Sequence, residues 1–260
     1  MAAALRIASL VPSLTELVVA LGMAELLVAR TGFCVHPADV VRRIAKVGGT
    51  KDVNLAKLRR LAPTHVLVNV DENRLDTVQA IQAWPADERP QIVVTHPNAP
   101  EDNLELIDQI AAVFDDIEGV ASSAQGLREA IAHELALTQR ERHAPQHVLY
   151  LIWREPWMTV ARDTYIARML ARVHWDTLPA VDGGAQGAAR YPVVRGDEAW
   201  LAEVQQVLLS SEPYAFGAQH VGAARALCPN AAVRIVDGEA ISWYGPRAVA
   251  GLRYLRGLAA

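Results

Sequence analysis

The feature that most constrains this chain is a long amphipathic stretch without proline, residues 119–144. Its apolar or small side chains recur at spacings of 4, 3, 4, 4 and 3 residues, at Val120, Ala124, Leu127, Ile131, Leu135 and Thr138. This period places them on one face of an α-helix, with charged residues on the other. About 24 helical residues would span roughly 36 Å. The sequence therefore predicts a rigid connecting helix over 119–145 between two lobes, 1–118 and 146–260.

The first lobe alternates buried strands with helices. Strands are predicted over 5–10, 25–30, 65–70 and 91–96, and helices over 11–22, 54–63 and 71–82. The predicted N-caps are Ser13 (with Glu16 completing a capping box), Asn54 and Asp71. Alternation of this kind indicates a mainly parallel sheet with helices on its faces.

The second lobe repeats the same plan. Strands are predicted over 147–153, 204–211 and 233–238, and helices over 163–173 and 246–258. Asp163 is the predicted cap of the first of these helices, and Pro246 suits the first turn of the last one. The predicted fold class is therefore α/β, with two Rossmann-like lobes joined by a single long helix. A ligand cleft is expected between the lobes, because such sheets bind ligands beyond the carboxyl ends of their strands.

Composition and motifs exclude several classes of function. The formal net charge of −4 argues against a nucleic-acid footprint, which needs a basic excess. No apolar run approaches the roughly 20 residues that span a bilayer. Cys34 and Cys228 allow one disulfide, but two free thiols are favoured, since two distant cysteines specify little. The chain has no G-x-S-x-G, P-loop or H-E-x-x-H motif, so no enzyme class is indicated.

Aromatic side chains follow several predicted strand ends of the second lobe. The first strand runs into "WREPW" (153–157), a later one into "SSEPYAF" (210–216), and "ISWYGPR" (241–247) follows another. Because the carboxyl ends of parallel strands share one edge, we expect seven rings to converge there: Trp153, Trp157, Tyr191, Tyr214, Phe216, Trp243 and Tyr244. Such rings offer rigid contact area for a flat or bulky ligand. The alternative is that they pack the rim of the lobe.

Candidate metal ligands lie at strand ends of the first lobe. Cys34 and His36 share the loop "TGFCVHP", and His96 begins "THPNAP". A thiolate and two imidazoles suit a soft metal. A single imidazole could instead be the axial ligand of a corrinoid cobalt or a haem iron. The third interpretation is that these side chains only cap or hydrogen-bond their loops.

The chain resembles a known protein family over nearly its whole length. The resemblance rests on "RIASLVPSLTELVVALG", "KVGGTKDVNLAKLRRLAPTHVLVN", "WREPWMTVARDTYIARML", "RYPVV", "SSEPYAF" and "DGEAISWYGPR", in this order. These segments are similar to the helical-backbone (class III) periplasmic substrate-binding proteins of ABC importers, and most similar to the cobalamin-binding subgroup. Members of that family bind cobalamins, haem, ferric siderophores or transition metals between two lobes.

The resemblance also implies roles for particular residues. It implies a ligand-binding set of Pro12, Ser13, Phe33, Cys34, Trp153, Trp157, Tyr191, Trp243, Tyr244 and Arg247. It further implies that an acid of each lobe docks on permease arginines. Glu72 aligns with the first docking acid, and either Asp197 or Glu198 with the second.

The predicted function is capture of a corrinoid, cobalamin-like ligand in the cleft for delivery to an ABC importer. The alternatives are a binder of haem, a ferric siderophore or a transition metal, a cytosolic corrinoid or metal-chelate carrier, and, as a distant third, an enzyme. We expect no required cofactor, no nucleic-acid partner, a possible permease dimer as partner, and a monomer that does not span a membrane. The location is periplasmic if a signal peptide was removed, and cytoplasmic if Met1 is the native start.

Overall fold

A computed structural model describes residues 4–141 and 143–260. These residues form two compact units, each built around a parallel sheet. The first unit comprises residues 4–96 with Leu104–Glu129, and the second comprises Pro97–Asn103 with the described residues from Ala130 onward. The chain is therefore an α/β protein of two lobes, as the sequence predicts.

The first unit contains a five-stranded sheet in the order β3-β2-β1-β4-β5, with every neighbouring pair parallel. The strands are β1 (Ile7–Ser9), β2 (Leu27–Arg30), β3 (Ala45–Lys46), β4 (His65–Asn69) and β5 (Gln91–Thr95). The chain runs from β1 to one side and later returns to the other, so the strand order reverses between β1 and β4. This reversal is the topological switch point, where open α/β sheets bind ligands.

The helices of the first unit begin at caps that the sequence predicts only in part. They are α1 (Pro12–Ala20), α2 (Ala38–Val41), α3 (Leu55–Arg60), α4 (Leu75–Gln82) and α5 (Asn103–Val113). The Asn54 cap is confirmed, since its side chain accepts from the Lys57 N–H at 2.9 Å. The Ser13 cap is wrong, because Pro12 occupies the first helical position and Val11 becomes the N-cap. The Asp71 cap is also wrong, because α4 begins after Arg74.

The connecting helix α6 spans Val120–Arg140. It is shorter than the predicted 119–145, because Pro145 lacks a backbone donor and disfavours helical geometry at Ala144. The predicted stripe is the covered face: Val120, Ala124, Ile131, Leu135 and Thr138 are buried, and Leu127 is half-buried.

The second unit contains a four-stranded parallel sheet in the order β11-β10-β6-β8, and a separate antiparallel pair of β7 with β9. The strands are β6 (Gln146–Leu151), β7 (Trp157–Met158), β8 (Trp175–Thr177), β9 (Val193–Val194), β10 (Gln206–Ser210) and β11 (Ala232–Val236). Strand order reverses between β6 and β10, which places the switch point of this unit there. The sequence did not predict β7, β8 and β9, because strands of two or three residues are too short to show a period.

The helices of the second unit are α7 (Tyr165–Ala171), α8 (Val221–Leu227), α9 (Gly238–Ser242) and α10 (Arg247–Ala259). The predicted Asp163 cap is wrong: Thr164 caps α7, and Asp163 instead accepts from the N–H groups of Gly183 and Gly184. Pro246 lies at the N-cap of α10 rather than in its first turn. The helices α9 and α10 approach closely, since a Cβ on Gly251 would lie 2.1 Å from the carbonyl oxygen of Ala240.

Two further sequence expectations concern cysteines and membranes. Cys34 and Cys228 are both free and buried, as favoured from the sequence. Within residues 4–141 and 143–260, no helix is long and apolar enough to cross a bilayer.

Candidate functional site

The switch point of the first unit is organised by one buried amide, that of Asn73. Its Nδ2 donates to the carbonyl oxygen of Leu10, at the end of β1, and to that of Thr50, in the loop after β3. Its Oδ1 accepts from the N–H of Asn69, the last residue of β4. One side chain therefore joins three carboxyl-end segments. Pro12 and Ser13, two predicted ligand contacts, begin the helix beside this point and are buried.

A polar group lies next to this amide. The Lys51 ammonium donates to the carbonyl oxygen of Asp71 at 2.6 Å, and Asp71 Oδ2 lies 3.5 Å from His96 Nε2. Asp71 and Glu72 are half-buried, and their backbone N–H groups donate to Asn69 Oδ1. A carboxylate is thus placed beside the imidazole, an arrangement that is common around metal-binding histidines.

The loop after β2 exposes apolar side chains above a buried thiol. Phe33 is 61% exposed and Val35 45% exposed, whereas Cys34 is fully buried. The Cys34 Sγ lies 3.2 Å from Thr31 Oγ1. Burial raises the pKa of the thiol, and hydrogen bonds with Thr15 and Thr31 only partly oppose this effect. Cys34 is therefore a neutral, enclosed thiol, and Phe33 is the residue of this loop that a ligand can reach.

The predicted three-ligand metal set of Cys34, His36 and His96 is not formed. Among the described residues, no three His, Cys, Asp or Glu side chains lie close enough together to hold a metal ion. The reason is that Cys34 faces the interior while His96 follows a different strand and pairs with Asp71. Axial ligation by one imidazole stays a prediction.

An aromatic group lies at the switch point of the second unit. The segment after β6 turns back on itself: the N–H of Met158 donates to the carbonyl oxygen of Trp153, and the N–H of Ile152 to that of Met158. This turn leaves Trp153 42% exposed. Its indole meets Tyr214, from the loop after β10, edge-on with ring centroids 5.5 Å apart. The two loops that flank the switch point therefore touch through their rings.

Further rings support this pair from the interior side. Trp157 stacks on Phe216 at 5.9 Å, and Phe216 lies 4.7 Å from Tyr214. His220 is buried against both Tyr214 and Phe216, and its Nδ1 accepts from the N–H of Gly217. Trp157 and Tyr214 are half-buried and pack on the core of the unit. We call Trp153, Trp157, Tyr214, Phe216 and His220 the aromatic group.

The Arg154 guanidinium lies beside the aromatic group. Its Cζ is 5.5 Å from the centroid of the Trp157 ring, and its Nε is 3.7 Å from Glu155. The geometry is that of a cation–π contact. A charge held at the edge of an aromatic surface can pair with an acidic or amide group of a ligand.

A second set of rings is buried around α9 and α10. Trp243 is 6% and Tyr244 5% exposed, so they do not form the open rim that the sequence predicts for them. Trp243 Nε1 donates to Glu212 at 2.7 Å, and the Arg247 guanidinium lies over the Trp243 ring at 4.7 Å. Tyr244 meets Tyr165 edge-on. Tyr191 is half-buried just before β9. Ligand contact by Tyr191, Trp243, Tyr244 and Arg247 stays a prediction.

The predicted docking acids differ in their surroundings. Glu72 is half-buried and Asp197 is exposed. Both oxygens of Glu198 accept backbone N–H groups, from Arg195 and Gly196 at 2.8 Å each. Partial burial raises the pKa of Glu198, but these N–H groups outweigh it and hold the pKa below its usual value. Of Asp197 and Glu198, Asp197 is the one whose side chain is open to solvent.

Two residues that organise the switch points were missed from the sequence. Asn73 stands in "NVDEN" and Glu212 in "SSEPYAF", and both look like solvated loop residues. The only available signal was their position directly after a buried strand, where polar residues are common. The direction of each side chain follows from the sheet order, which local patterns do not reveal.

The comparisons by sequence and by structure give different results. No protein-family model matches the sequence, and no curated protein matches it either. Similar solved structures exist, and they are compared over nearly the whole chain.

One of these is the periplasmic vitamin B12 binding protein BtuF of Vibrio cholerae, which is 17% identical, has a TM-score of 0.76 and is matched over 96% of both chains. Another is the periplasmic heme binding protein HutB of Vibrio cholerae, at 24% identity and a TM-score of 0.76 over 98% of both chains. A third is the periplasmic heme-binding protein RhuT from Roseiflexus sp. RS-1, at 19% identity and a TM-score of 0.75 over 99% of this chain and 100% of that one. The chain shares the fold of these binding proteins.

Proposed function

Starting from the fold of periplasmic binding proteins, we propose that this chain is a substrate-binding protein that captures a bulky, metal-containing tetrapyrrole-type ligand for an ABC importer. The observation that carries this proposal is the aromatic group at the switch point of the second unit. Trp153 is 42% exposed there, and its ring packs in a T-shaped contact with Tyr214. Rigid aromatic surfaces at strand ends suit a large flat ligand.

The distribution of exposed apolar side chains supports a large ligand over a bare metal ion. In the first unit, Phe33, Val35 and Leu75 are exposed in or next to loops that follow strands. In the second unit, Trp153 and Val181 are exposed directly after β6 and shortly after β8. A bare ion would need several polar ligands in one place, and among the described residues no such group exists.

A corrinoid is our first candidate ligand and haem is the second. The pair of His96 and Asp71 favours a ligand whose metal accepts one imidazole, since carboxylates often lie beside imidazoles that bind metals. This condition suits both cobalt in a corrinoid and iron in haem. The resemblance of the sequence motifs to cobalamin binders places the corrinoid first, and the two similar haem binders keep haem as the alternative.

Delivery to a permease is the second part of the proposal. Glu72 in the first unit and Asp197 in the second are our candidate docking acids. Asp197 is preferred to Glu198 because both oxygens of Glu198 are already engaged by backbone N–H groups. The role implies export to the periplasm.

The direct test is a binding titration with cyanocobalamin, aquocobalamin, haemin and ferric chelates, read by absorbance and calorimetry. We expect saturable 1:1 binding of one tetrapyrrole-type ligand, with a Kd of about micromolar or below, and none of the chelates. A matched pair of variants locates the site. Trp153→Ala should weaken binding, whereas Trp200→Ala should not, because Trp200 packs on the same core but precedes β10. Binding of a bare metal ion alone, or equal effects of both variants, would contradict the proposal.

A further inference from the structure

Glu212 is a half-buried acid at the switch point of the second unit. It follows β10 by two residues and precedes Tyr214 of the aromatic group by two. Its Oε1 accepts from Ser242 Oγ at 2.5 Å and from Trp243 Nε1 at 2.7 Å. One carboxylate oxygen therefore ties the loop after β10 to the end of α9.

The backbone around Glu212 is fixed as well. Its carbonyl oxygen accepts from Ser210 Oγ at 2.5 Å, and that hydroxyl lies 2.8 Å from the hydroxyl of the fully buried Tyr150 on β6. The space beside it is closed, since a Cβ on Gly238 would lie 2.3 Å from Ser210 Oγ and 2.8 Å from Glu212 Cγ. The start of the Tyr214 loop is thus anchored to both central strands and to α9.

The charges near Glu212 do not favour its ionised form. Burial raises its pKa, and the hydrogen bonds from Ser242 and Trp243 only partly oppose this. The negative charges of Glu239 on α9 and of Asp237, the N-cap of that helix, raise it further. The nearby cation, Arg247 on α10, pairs with Glu239 at 3.1 Å, and the Tyr254 hydroxyl of α10 accepts from the Asp237 N–H. The carboxylate is therefore held by its two donors, Ser242 and Trp243.

We propose that Glu212 is a positioning residue whose charge fixes the Tyr214 loop and so holds the aromatic group in its ligand-binding arrangement. The two donors bind an ionised carboxylate more strongly than a neutral acid, since charge-assisted hydrogen bonds are roughly twice as strong. When the carboxylate takes up a proton, the tie to α9 weakens and the loop carrying Tyr214 loosens. Ligand affinity therefore falls as Glu212 is protonated. The expected effect on ligand affinity rests on the proposed function, whereas the expected effect on the Tyr214 loop does not.

The test combines two indole resonances with a binding curve, each followed from pH 8 to pH 5. In ligand-free protein labelled with ¹⁵N, the Nε1–H signal of Trp243 reports on Glu212 directly, and that of Trp153 reports on the Tyr214 loop. Trp243→Phe and Trp153→Phe assign the two signals. We expect both signals to move with one shared midpoint, and cyanocobalamin or haemin, whichever binds, to be held about five- to ten-fold more weakly below that midpoint.

Two variants make the outcome decisive. Glu212→Gln keeps the acceptor oxygen but cannot titrate, so both signals and the affinity should become independent of pH. Glu239→Gln is the matched control: the titration should persist, with its midpoint moved to lower pH because a neighbouring negative charge is gone. A Trp153 signal that stays fixed while that of Trp243 titrates would overturn the positioning role. An affinity that changes with pH equally in wild type and Glu212→Gln would overturn it too. If neither probe binds at any pH, the proposed function fails, and the two indole signals still decide the role of Glu212 in the loop.

Discussion

The two switch points share a topology but differ in chemistry. In the first unit, the loops that flank the switch are joined by hydrogen bonds of a single buried amide, that of Asn73. In the second unit, the flanking loops meet through the rings of Trp153 and Tyr214, and the half-buried carboxylate of Glu212 lies in one of these loops. The same kind of reversal in strand order therefore supports a polar junction in one lobe and an aromatic surface in the other.

This difference shows how the same kind of strand reversal can serve two tasks. A hydrogen-bonded junction defines the backbone sharply and leaves nearby polar groups, such as His96 and Asp71, in fixed positions. A junction made by rings fixes the backbone less tightly, but it offers contact area to a ligand.

The largest expected effect is loss of the polar junction. Asn73→Ala should lower the free energy of unfolding by about 3 kcal/mol, because two carbonyl oxygens and one N–H lose a buried partner. Urea unfolding followed by circular dichroism measures it. The control is Asn54→Ala, which removes an N-cap and should cost only about 1 kcal/mol. Equal losses in the two variants would mean that Asn73 is no more than an ordinary loop residue.

A smaller effect should separate the two tryptophans of the aromatic group. Trp153→Ala should weaken ligand binding about ten-fold and leave the melting temperature within a few degrees of wild type, because the side chain is 42% exposed. Trp157→Ala should cost about 2 kcal/mol of stability as well, since that ring stacks on Phe216 and packs on the core. Calorimetry and thermal melts on the same samples measure both quantities. A large fall in the melting temperature of Trp153→Ala would mean that the aromatic group only packs the protein and does not bind a ligand.

A still smaller effect concerns pH and stability. The raised pKa of Glu212 means that the folded state binds this proton more tightly than the unfolded state. Relative to Glu212→Gln, the wild type should therefore be most stable below the ordinary glutamate pKa. It should lose that advantage as the pH rises through the raised value. Unfolding curves of both proteins between pH 4 and pH 8 give the difference. A difference that does not change with pH would contradict the burial argument.

The smallest expected change concerns the imidazole of the first unit. His96→Ala should alter the visible spectrum of a bound corrinoid or haem, because an axial ligand changes the electronic states of the metal. Asp71→Asn should alter it less, through the orientation of the ring. His36→Ala is the control and should leave the spectrum unchanged. Identical spectra in all three variants would assign His96 to structure.

The sequence was sufficient for the fold class because the longest helix and the central strands carry their own periods, although the 11-residue helix α5 was not predicted. The stripe on α6 and the apolar runs of β4, β6 and β10 lie where they were predicted. Caps were less predictable, since Pro12 and Thr164 each displaced a neighbouring candidate. A single residue decides where a helix begins, and several candidates stand side by side.

The site was predicted only in part. Trp153 and Phe33 are exposed at strand ends, as expected for ligand contacts. Trp243 and Cys34 stand in equally plausible loops but are buried, because helices and strands distant in sequence cover them. Asn73 and Glu212 were not predicted for the same reason. Their roles depend on β1 lying beside β4 and β6 beside β10, and such pairings of distant strands leave no local pattern.

The close approaches at Gly238 and Gly251 have a consequence for how this chain can change over generations. At both positions a Cβ would lie too close to neighbouring atoms, so a substitution would require those neighbours to shift. Most surface positions can drift, and proteins that keep this fold can differ at about four residues in five, as the identities of 17% to 24% illustrate. The pair of glycines, 13 residues apart, would then be among the last features to be lost. A descendant that had replaced both glycines would need a different backbone in α9, and the position of Trp243, directly after α9, would change with it.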